Sequence, residues 1–430
     1  MESESSRDSD KICDQKKPAR KSGLAAVNLR ELIWTRKDII LTTLNTLVTF
    51  GDAVEIYLPG VITQSASSEL GVSSSQEGLL GIILYLFLAL SYFILPLIKD
   101  KIGRREGLLI SLYTSIIATV VCSKVPNYWT LLISRAVLGF CIGLNFSTAG
   151  VFYSEEVSSY GIYNVGNLIG LFAFTLGGGW VAVLAYFLLG KIGWRYFVVC
   201  TSVPIFVPPI FILHFLLDKA PKADANREEN LSLMGGDVIK VERYLGRLIK
   251  GSVANFINTL QGWGSILLIP ALLNLKYGED DENKLTEDQE LLILALLYGG
   301  AKLSGRIVSI FLLKFIPFRV LQPLLSIVIA GCYLALILQG QSLLVTVVAM
   351  GIANMCFCVT RCELTLMEFD KYHFGTERLV LAAGVMSGCG MLGAVVGAVA
   401  AQFLKSHNAV IFTFVLSCVQ VVVMSCITER

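Results

Sequence analysis

The sequence predicts an all-α membrane protein with about twelve transmembrane helices in two six-helix halves, and with both termini on the cytoplasmic side. Three observations carry the prediction: the composition, the recurrence of bilayer-length apolar runs, and the alternation of basic loops. Hydrophobic residues make up 54% of the 430 residues and charged residues only 16%. Soluble domains carry about a quarter charged residues, so a lipid environment accounts for this composition better than a soluble core does.

Apolar runs long enough to cross a bilayer, which takes about 20 residues, recur along the chain. The predicted spans are residues 38–62, 76–98, 106–123, 129–151, 163–188, 194–217, 251–273, 289–313, 319–339, 341–367, 379–404 and 408–427. They predict four regions: an N-terminal tail (1–37), a six-helix half (38–217), a central loop (218–250) and a second six-helix half (251–430).

Lys and Arg set the predicted orientation, because short cytoplasmic loops are enriched in them. Basic residues concentrate in the tail, in the loop after the second span and in the central loop, which lie on one side if there are twelve spans. The opposite side carries few basic residues and the acidic stretch Glu279 to Glu282. A count of ten or eleven spans is the alternative, with the ninth or tenth span misassigned, but it would break the alternation.

The composition also excludes several classes of protein. A net charge of +2 gives no reason to expect a nucleic-acid partner, and the eleven cysteines form neither a CxxC motif nor a Cys/His cluster. No phosphate-binding Gly-x-x-x-x-Gly-Lys loop is present, so direct ATP drive is not expected. We therefore expect no enzyme activity, no cofactor and no metal site. The polar, basic first 37 residues do not form a signal peptide, so the first helix is expected to act as the membrane-entry signal.

Charged residues inside the predicted spans are candidate functional groups, since each is costly in hydrocarbon. Asp52 and Glu55 lie three residues apart on one face of the first span. Two carboxylates facing one cavity could carry a proton or attract a cation. The structural alternative is an ion pair with an arginine of a neighbouring helix, for which Arg135 in the fourth span is a candidate.

The second half supplies further candidates. In the tenth span, Arg361 and Glu363 point to different faces, and Arg361 shares a face with Asn354. One of the two charges could line a cavity while the other pairs with another helix. Lys302 and Arg306 in the eighth span are expected to extend to the cytoplasmic boundary. An anion-attracting pair in the cavity is the alternative for them.

The seventh span carries amides and an indole: Asn258, Gln261 and Trp263. These groups suit a neutral polar or aromatic ligand, and interhelical hydrogen bonding is the structural alternative. Aromatic residues could line the same cavity, although packing and interfacial roles are more common for them. They are Tyr57, Tyr85, Trp180 and Tyr298. The run Gly177-Gly178-Gly179 lies inside the fifth span, where it would bend the helix or admit a close neighbour.

The loop after the second span reads Asp100-Lys101-Ile102-Gly103-Arg104-Arg105 and resembles the signature loop of the major facilitator superfamily. Other segments are similar to organic-ion transporters and, more closely, to the synaptic vesicle glycoprotein two group. These segments are Asp52-Ala53-Val54-Glu55, Arg135 to Gly143, Tyr153-Ser154-Glu155, Gly193-Trp194-Arg195 and Glu363 to Glu368. The resemblance covers roughly residues 40–425.

The resemblance implies a major facilitator fold and a solute site at the midplane between the two halves. It also implies a gating role for the arginine loop and for two glutamates that close the fourth and tenth spans. The gating residues would be Asp100, Gly103, Arg104, Arg105, Glu155 and Glu368. For Arg135 it implies proton coupling or a buried salt-bridge network. The second copy of the loop is reduced, with Lys314 where an Asp is usual, so equivalent latches in both halves are not expected.

The function predicted from the sequence is alternating-access transport of a small organic ion or polar metabolite bound near spans 1, 4, 7 and 10. Proton coupling is an open option. The expected partners are the solute and the lipid bilayer, and a monomer is expected in the plasma membrane or an intracellular vesicle membrane. The alternative is a transporter-like vesicle-membrane protein that acts as a receptor or scaffold with little transport. A channel is a more distant third option, since no selectivity-filter pattern is present.

Overall fold

The computed structural model describes residues 33–98, 103–217, 245–246, 248–262, 287–316, 318–339, 342–368, 376–403 and 406–428. Every regular element within these ranges is a helix. The helices are α1 (Arg36–Tyr57), α2 (Pro59–Leu70), α3 (Ser74–Ile98), α4 (Arg104–Ser123), α5 (Tyr128–Glu156), α6 (Tyr160–Leu184), α7 (Gly190–Phe211), α8 (248–262), α9 (Glu287–Ala295), α10 (Lys302–Phe315), α11 (Phe318–Gln339), α12 (Leu343–Glu368), α13 (Thr376–Phe403) and α14 (Ser406–Thr428).

Local sequence explains where several helices begin. Thr35 and Asp38 form a reciprocal capping box at the start of α1: the Thr35 hydroxyl accepts from the Asp38 amide at 3.1 Å, and the Asp38 carboxylate accepts from the Thr35 amide at 3.0 Å. The side chain of Asn127 caps α5 and that of Ser159 caps α6. These polar residues satisfy amide donors that the first helical turn leaves without partners.

Nine helical stretches within the described residues are long and apolar enough to cross a membrane. The stretch Gly161–Leu216 has 56 residues, about twice the length that one crossing needs. It is broken at Gly193, whose φ of 73° and ψ of 158° are not helical. The break falls between the predicted spans 163–188 and 194–217, so this stretch accounts for both of them. The prediction of an all-helical membrane protein is confirmed.

The helices pack in two groups, one before and one after the central region of the chain. In the first group α1 packs against α5, α6 and α7, and α4 against α5 and α7; in the second, α12 packs against α10 and α11, and α11 against α14. Two seams join the groups. One is formed by α3 and α13, and the other by α6 with α9 and α10. Large apolar side chains cover the outer surface, as lipid contact requires: Phe315 is 76% exposed and Phe215 is 74% exposed.

Among the described residues, three π-helical segments interrupt the regular helices. They are Ala185–Leu189 after α6, Ile212–Leu216 after α7, and Leu296–Ala301 between α9 and α10. A π-helical turn holds an extra residue, so it changes the faces on which the following side chains lie. The third segment directly precedes Lys302 and therefore affects the face of α10 on which Lys302 lies.

Candidate functional site

A central cavity lies between the two groups of helices. Residues of α1, α3, α5 and α6 line one side, and residues of α8, α10, α12 and α13 line the other. The space in and around the cavity that protein atoms do not occupy is about 650 Å³, which includes open solvent. Its walls are mostly apolar, with the aromatic side chains Tyr57, Tyr92, Phe146, Phe174 and Phe357. Such walls suit the carbon skeleton of a small organic molecule.

Basic side chains supply the charge of the cavity. Lys302 and Arg306, one turn apart on α10, and Arg361 on α12 line it, and the described lining contains no Asp or Glu. Lys302 and Arg306 are each 3% exposed. The expectation that these two residues extend to the cytoplasmic boundary is wrong, because Lys302 lies midway along the apolar stretch Leu292–Leu312. Their geometry fits the alternative, a pair that attracts an anion.

Lys302 contacts the first group of helices across the cavity. Its Nζ donates to the phenol oxygen of Tyr57 on α1 at 2.9 Å. The ammonium also lies 4.9 Å from the ring centroid of Tyr57 and 5.5 Å from that of Tyr298. Within the part of the chain that the structure describes, Lys302 forms no ion pair with a carboxylate.

Arg306 is held by neutral oxygens. Its Nη1 donates to the backbone carbonyl of Cys358 on α12 at 2.8 Å, and its Nε lies 3.5 Å from the hydroxyl of Thr175 on α6. The ion pairs among the described residues do not include Arg306. Two buried cations, one turn apart, therefore face the cavity without a carboxylate partner in that part of the chain.

Arg361 and Asn354 take different roles although they share a helix face. Arg361 lines the cavity, and its Nη1 donates to the side-chain oxygen of Asn255 on α8 at 2.6 Å. Asn354 is buried outside the lining and donates to the carbonyl of Met350, one turn earlier on its own helix. The structure thus brings Arg361 to the cavity and leaves Asn354 in the packing of α12.

The amides of α8 bond to neighbouring helices. Asn258 donates to the hydroxyl of Thr360 on α12 at 2.7 Å, and Gln261 donates to that of Ser417 on α14 at 2.8 Å. Neither amide belongs to the cavity lining. Their geometry fits the structural alternative, in which they hold helices together.

The acidic pair of α1 lies inside the first group of helices, outside the cavity lining. Asp52 and Glu55 are both 0% exposed. Nη1 of Arg135 lies 3.3 Å from Oε2 of Glu55, and the Thr119 hydroxyl donates to Oε1 of Glu55 at 2.7 Å. Asp52 instead accepts from the Asn145 amide at 3.1 Å, and its Oδ2 has no hydrogen-bond partner among the described residues. Glu55 thus forms the ion pair that was the structural alternative to a role in the cavity, whereas Asp52 accepts a hydrogen bond from an amide.

The arginine loop pairs with the ends of α5 and α7. Arg104 lies 2.7 Å from Glu155, and Nε of Arg105 donates to the carbonyl of Leu213 at 3.0 Å. Gly103 is the N-cap residue of α4. All of these contacts are inside the first group of helices, so they fasten α4 to its neighbours.

Four predicted site residues fall wholly or partly outside the described structure. Asp100 and Trp263 lie outside the described residues, and the side chains of Glu363 and Glu368 do as well, although the backbone of α12 includes both glutamates. Their proposed roles stay predictions.

A family model described as the Major Facilitator Superfamily matches residues 43–398. The matched range begins within α1 and ends within α13, so it includes every residue that lines the cavity. The chain belongs to the major facilitator superfamily. It is therefore a multi-pass membrane protein of a transporter family, and the resemblance inferred from the arginine loop is confirmed.

Curated relatives match parts of this major facilitator protein. Synaptic vesicle glycoprotein 2A of Rattus norvegicus is 29% identical over 150 residues, which cover 35% of this chain and 20% of the relative. Putative transporter svop-1 of Caenorhabditis elegans is 28% identical over 193 residues, which cover 45% of this chain and 37% of the relative. The chain thus spans between a fifth and about two fifths of the length of these relatives.

A solved structure shares the fold of this major facilitator protein. The crystal structure of the human organic anion transporter MFSD10 (TETRAN) matches with a TM-score of 0.66 and 16% sequence identity. The match covers 91% of this chain and 100% of that chain.

A polar cluster that was not predicted from the sequence joins α2 to the start of α7. Glu69 accepts from Nε of Arg195 at 2.9 Å and from the indole of Trp194 at 2.5 Å. Hydrogen bonds from Arg195 and then Trp194 lower the pKa of the Glu69 carboxyl, because they favour its charged form. The segment Gly193-Trp194-Arg195 was a signal for this cluster, but nothing in the sequence identified Glu69 as its partner.

Proposed function

We propose that the protein carries a small organic anion through the central cavity by alternating access. The observation that carries the proposal is the pair Lys302 and Arg306, buried one turn apart with no carboxylate ion pair among the described residues. Burying a charge costs several kcal/mol unless it is paired, and like charges one turn apart repel. An anion bound between the two side chains would offset both costs.

The walls of the cavity narrow the class of solute. Aromatic side chains from both groups of helices surround the basic residues, so an anion with a flat aromatic or apolar portion fits best. A cationic solute would meet Lys302, Arg306 and Arg361 with no acidic side chain in the described lining. The organic anion transporter with the same fold supports this charge class.

We further propose twelve transmembrane helices with both termini in the cytoplasm. The N-terminal tail would comprise residues 1–37, the first six-helix half residues 38–217, the central loop residues 218–250 and the second half residues 251–430. The end where α1 and α4 begin carries Lys37, Arg104 and Arg105, which supports this orientation. Helix α8 covers part of the predicted span 251–273, and α14 matches the last span.

We place the protein, as a monomer, in the plasma membrane or a vesicle membrane, which its similarity to synaptic vesicle glycoprotein 2A supports.

The cavity predicts the outcome of an uptake experiment. Purified protein in proteoliposomes should take up aromatic anions such as benzoate, 2-naphthoate and phenyl phosphate in preference to benzylammonium. Lys302→Gln and Arg306→Gln should each reduce anion uptake at least about tenfold, because each removes a charge-assisted contact. Lys191→Gln is the matched control, since Lys191 is exposed and outside the lining.

Two results would contradict the organic-anion proposal. One is uptake of benzylammonium but not of the anions. The other is undiminished anion uptake by both cavity variants. Absence of uptake and binding for every solute would instead favour a receptor or scaffold in the vesicle membrane.

Asp52 supports a proton-coupled form of the transport. It is fully buried without an ion pair among the described residues, so a proton could neutralise it without breaking the Glu55–Arg135 pair. If it carries the coupling proton, Asp52→Asn should abolish the stimulation of uptake by a pH gradient and leave exchange of solute across a uniform pH intact. Stimulation by the gradient that survives in Asp52→Asn would exclude Asp52 as the proton carrier.

A further inference from the structure

The triple-glycine run of α6 lies against two other helical segments at once. A Cβ at Gly177 would lie 2.8 Å from a backbone oxygen of α1, and one at Gly178 would lie 3.0 Å from the ring of Tyr57. A Cβ at Gly179 would lie 3.2 Å from Cα of Gly299, in the π-helical segment before α10. Because these positions lack side chains, α6 approaches both α1 and the start of α10 closely.

This close approach explains how Lys302 reaches α1. Gly299 is three residues before Lys302, so its contact with α6 places the first turn of α10 beside Tyr57. The Tyr57 phenol oxygen then accepts a hydrogen bond from the Lys302 ammonium at 2.9 Å, and the Tyr57 ring packs against Gly178. Tyr57 therefore makes a polar contact between the two groups of helices while it lines the cavity.

We infer that Tyr57 is a positioning residue that holds Lys302 in the empty cavity and competes with the organic anion for it. The inference rests on the proposed function, since it requires an anion that binds Lys302. A carboxylate, sulfonate or phosphate is a stronger acceptor for an ammonium than a neutral phenol is. When such an anion takes the ammonium, the contact between α1 and α10 is lost, so anion binding and loosening of the two groups of helices are coupled.

This competition predicts the direction of an affinity change. Tyr57→Phe keeps the ring beside the ammonium but removes the oxygen that holds it. The anion then no longer displaces a hydrogen bond from a charged donor, so it should bind about tenfold more tightly. If the phenol instead bound the solute directly, Tyr57→Phe would lower the affinity for the anion. General damage to the fold would lower it as well.

The experiment measures binding of 2-naphthoate, benzoate and phenyl phosphate to the purified full-length chain by titration, for wild type and for Tyr57→Phe. Tyr333→Phe is the matched control, because Tyr333 is 2% exposed and outside the lining. Tighter binding by Tyr57→Phe, with Tyr333→Phe like wild type, supports the inference. Unchanged or weaker binding by Tyr57→Phe overturns it. Wild-type protein that binds none of the anions overturns the proposed function itself, so the two failures are distinguishable.

A second variant keeps the inference testable if Tyr57→Phe does not fold. Gly178→Ala keeps the Tyr57 hydroxyl but adds a methyl group 3.0 Å from the Tyr57 ring, so the ring has to shift by a few tenths of an ångström. Its affinity for the anion should rise in the same direction by a smaller factor. Gly300→Ala is the control, because a Cβ at Gly300 meets no atom within 4 Å. An affinity of Gly178→Ala equal to that of Gly300→Ala would count against the inference.

Discussion

Glu55 and Asp52, three residues apart on α1, differ in what neutralises them. Glu55 is paired with Arg135 and accepts a hydroxyl from Thr119, whereas Asp52 has an amide donor and no ion pair among the described residues. The ion pair fixes Glu55 to Arg135. Asp52 has no such pair in the described part of the chain, which is why we propose it as the proton carrier. A helix face that looks uniform in sequence therefore contains two chemically different sites.

The Glu55–Arg135 pair predicts a large effect on stability. Glu55→Gln would leave the Arg135 guanidinium, which is 1% exposed, without its carboxylate partner. Losing one member of a buried pair costs about 3–5 kcal/mol, so the thermal unfolding midpoint in detergent should fall markedly. Glu156→Gln is the control: its partner Lys37 is 56% exposed, and such a surface pair contributes less than about 1 kcal/mol. Equal midpoints for the two variants would exclude a structural role for the Glu55 pair.

The sequence could identify the charged residues but not which of them face the cavity. The free-energy cost of placing a charged side chain in hydrocarbon identifies Asp52, Arg306 and Arg361 equally, because this cost depends only on their position within an apolar run. Whether a side chain faces the cavity depends on how its helix is rotated about its axis. The sequence of a helix that is apolar on all sides does not specify that rotation. The structure brings Arg306 and Arg361 to the cavity and places Asp52 inside the first group of helices.

At the scale of the element, helix positions followed from the sequence more closely than helix faces did. The predicted span 106–123 corresponds to α4 (Arg104–Ser123), because a basic loop and a polar turn limit the apolar run. The predicted gap between spans five and six contains the observed break at Gly193. The π-helical segment Leu296–Ala301 was not predictable from hydropathy, and its extra residue changes the face on which Lys302 lies.

At the same scale, the contacts of the arginine loop join helices of the first group to one another. The Arg104–Glu155 pair joins α4 to α5, and the Arg105 contact joins α4 to the end of α7, all within the first group of helices. In the proposed alternating-access cycle, these contacts would hold that group together as a rigid unit. Movement between the groups then has to occur at the two seams, where small residues bring helices into contact.

At the scale of the whole molecule, alternating access requires at least one seam to open and close during each cycle. The α3–α13 seam is tight at Gly384, where a Cβ would lie 2.7 Å from the Tyr92 carbonyl oxygen and 2.9 Å from Pro96. The α6–α10 seam is tight at Gly179 and Gly299. Lys302 and Arg306 contact the first group beside the second seam, so in the proposed cycle the solute and the moving surfaces would meet at the same side chains.

The α3–α13 seam predicts a change in transport rate that is separable from binding. Gly384→Ala adds a methyl group that would collide with the Tyr92 carbonyl oxygen and the Pro96 ring of α3, so the seam cannot close fully. Anion uptake should slow several-fold, while equilibrium affinity for the anion stays near the wild-type value, because Gly384 is outside the cavity lining. Gly331→Ala, where a Cβ meets nothing within 4 Å, should transport at the wild-type rate. Wild-type uptake by Gly384→Ala would mean that the two groups of helices exchange conformations without closing at this seam, and the movement would then have to be assigned to the α6–α10 seam alone.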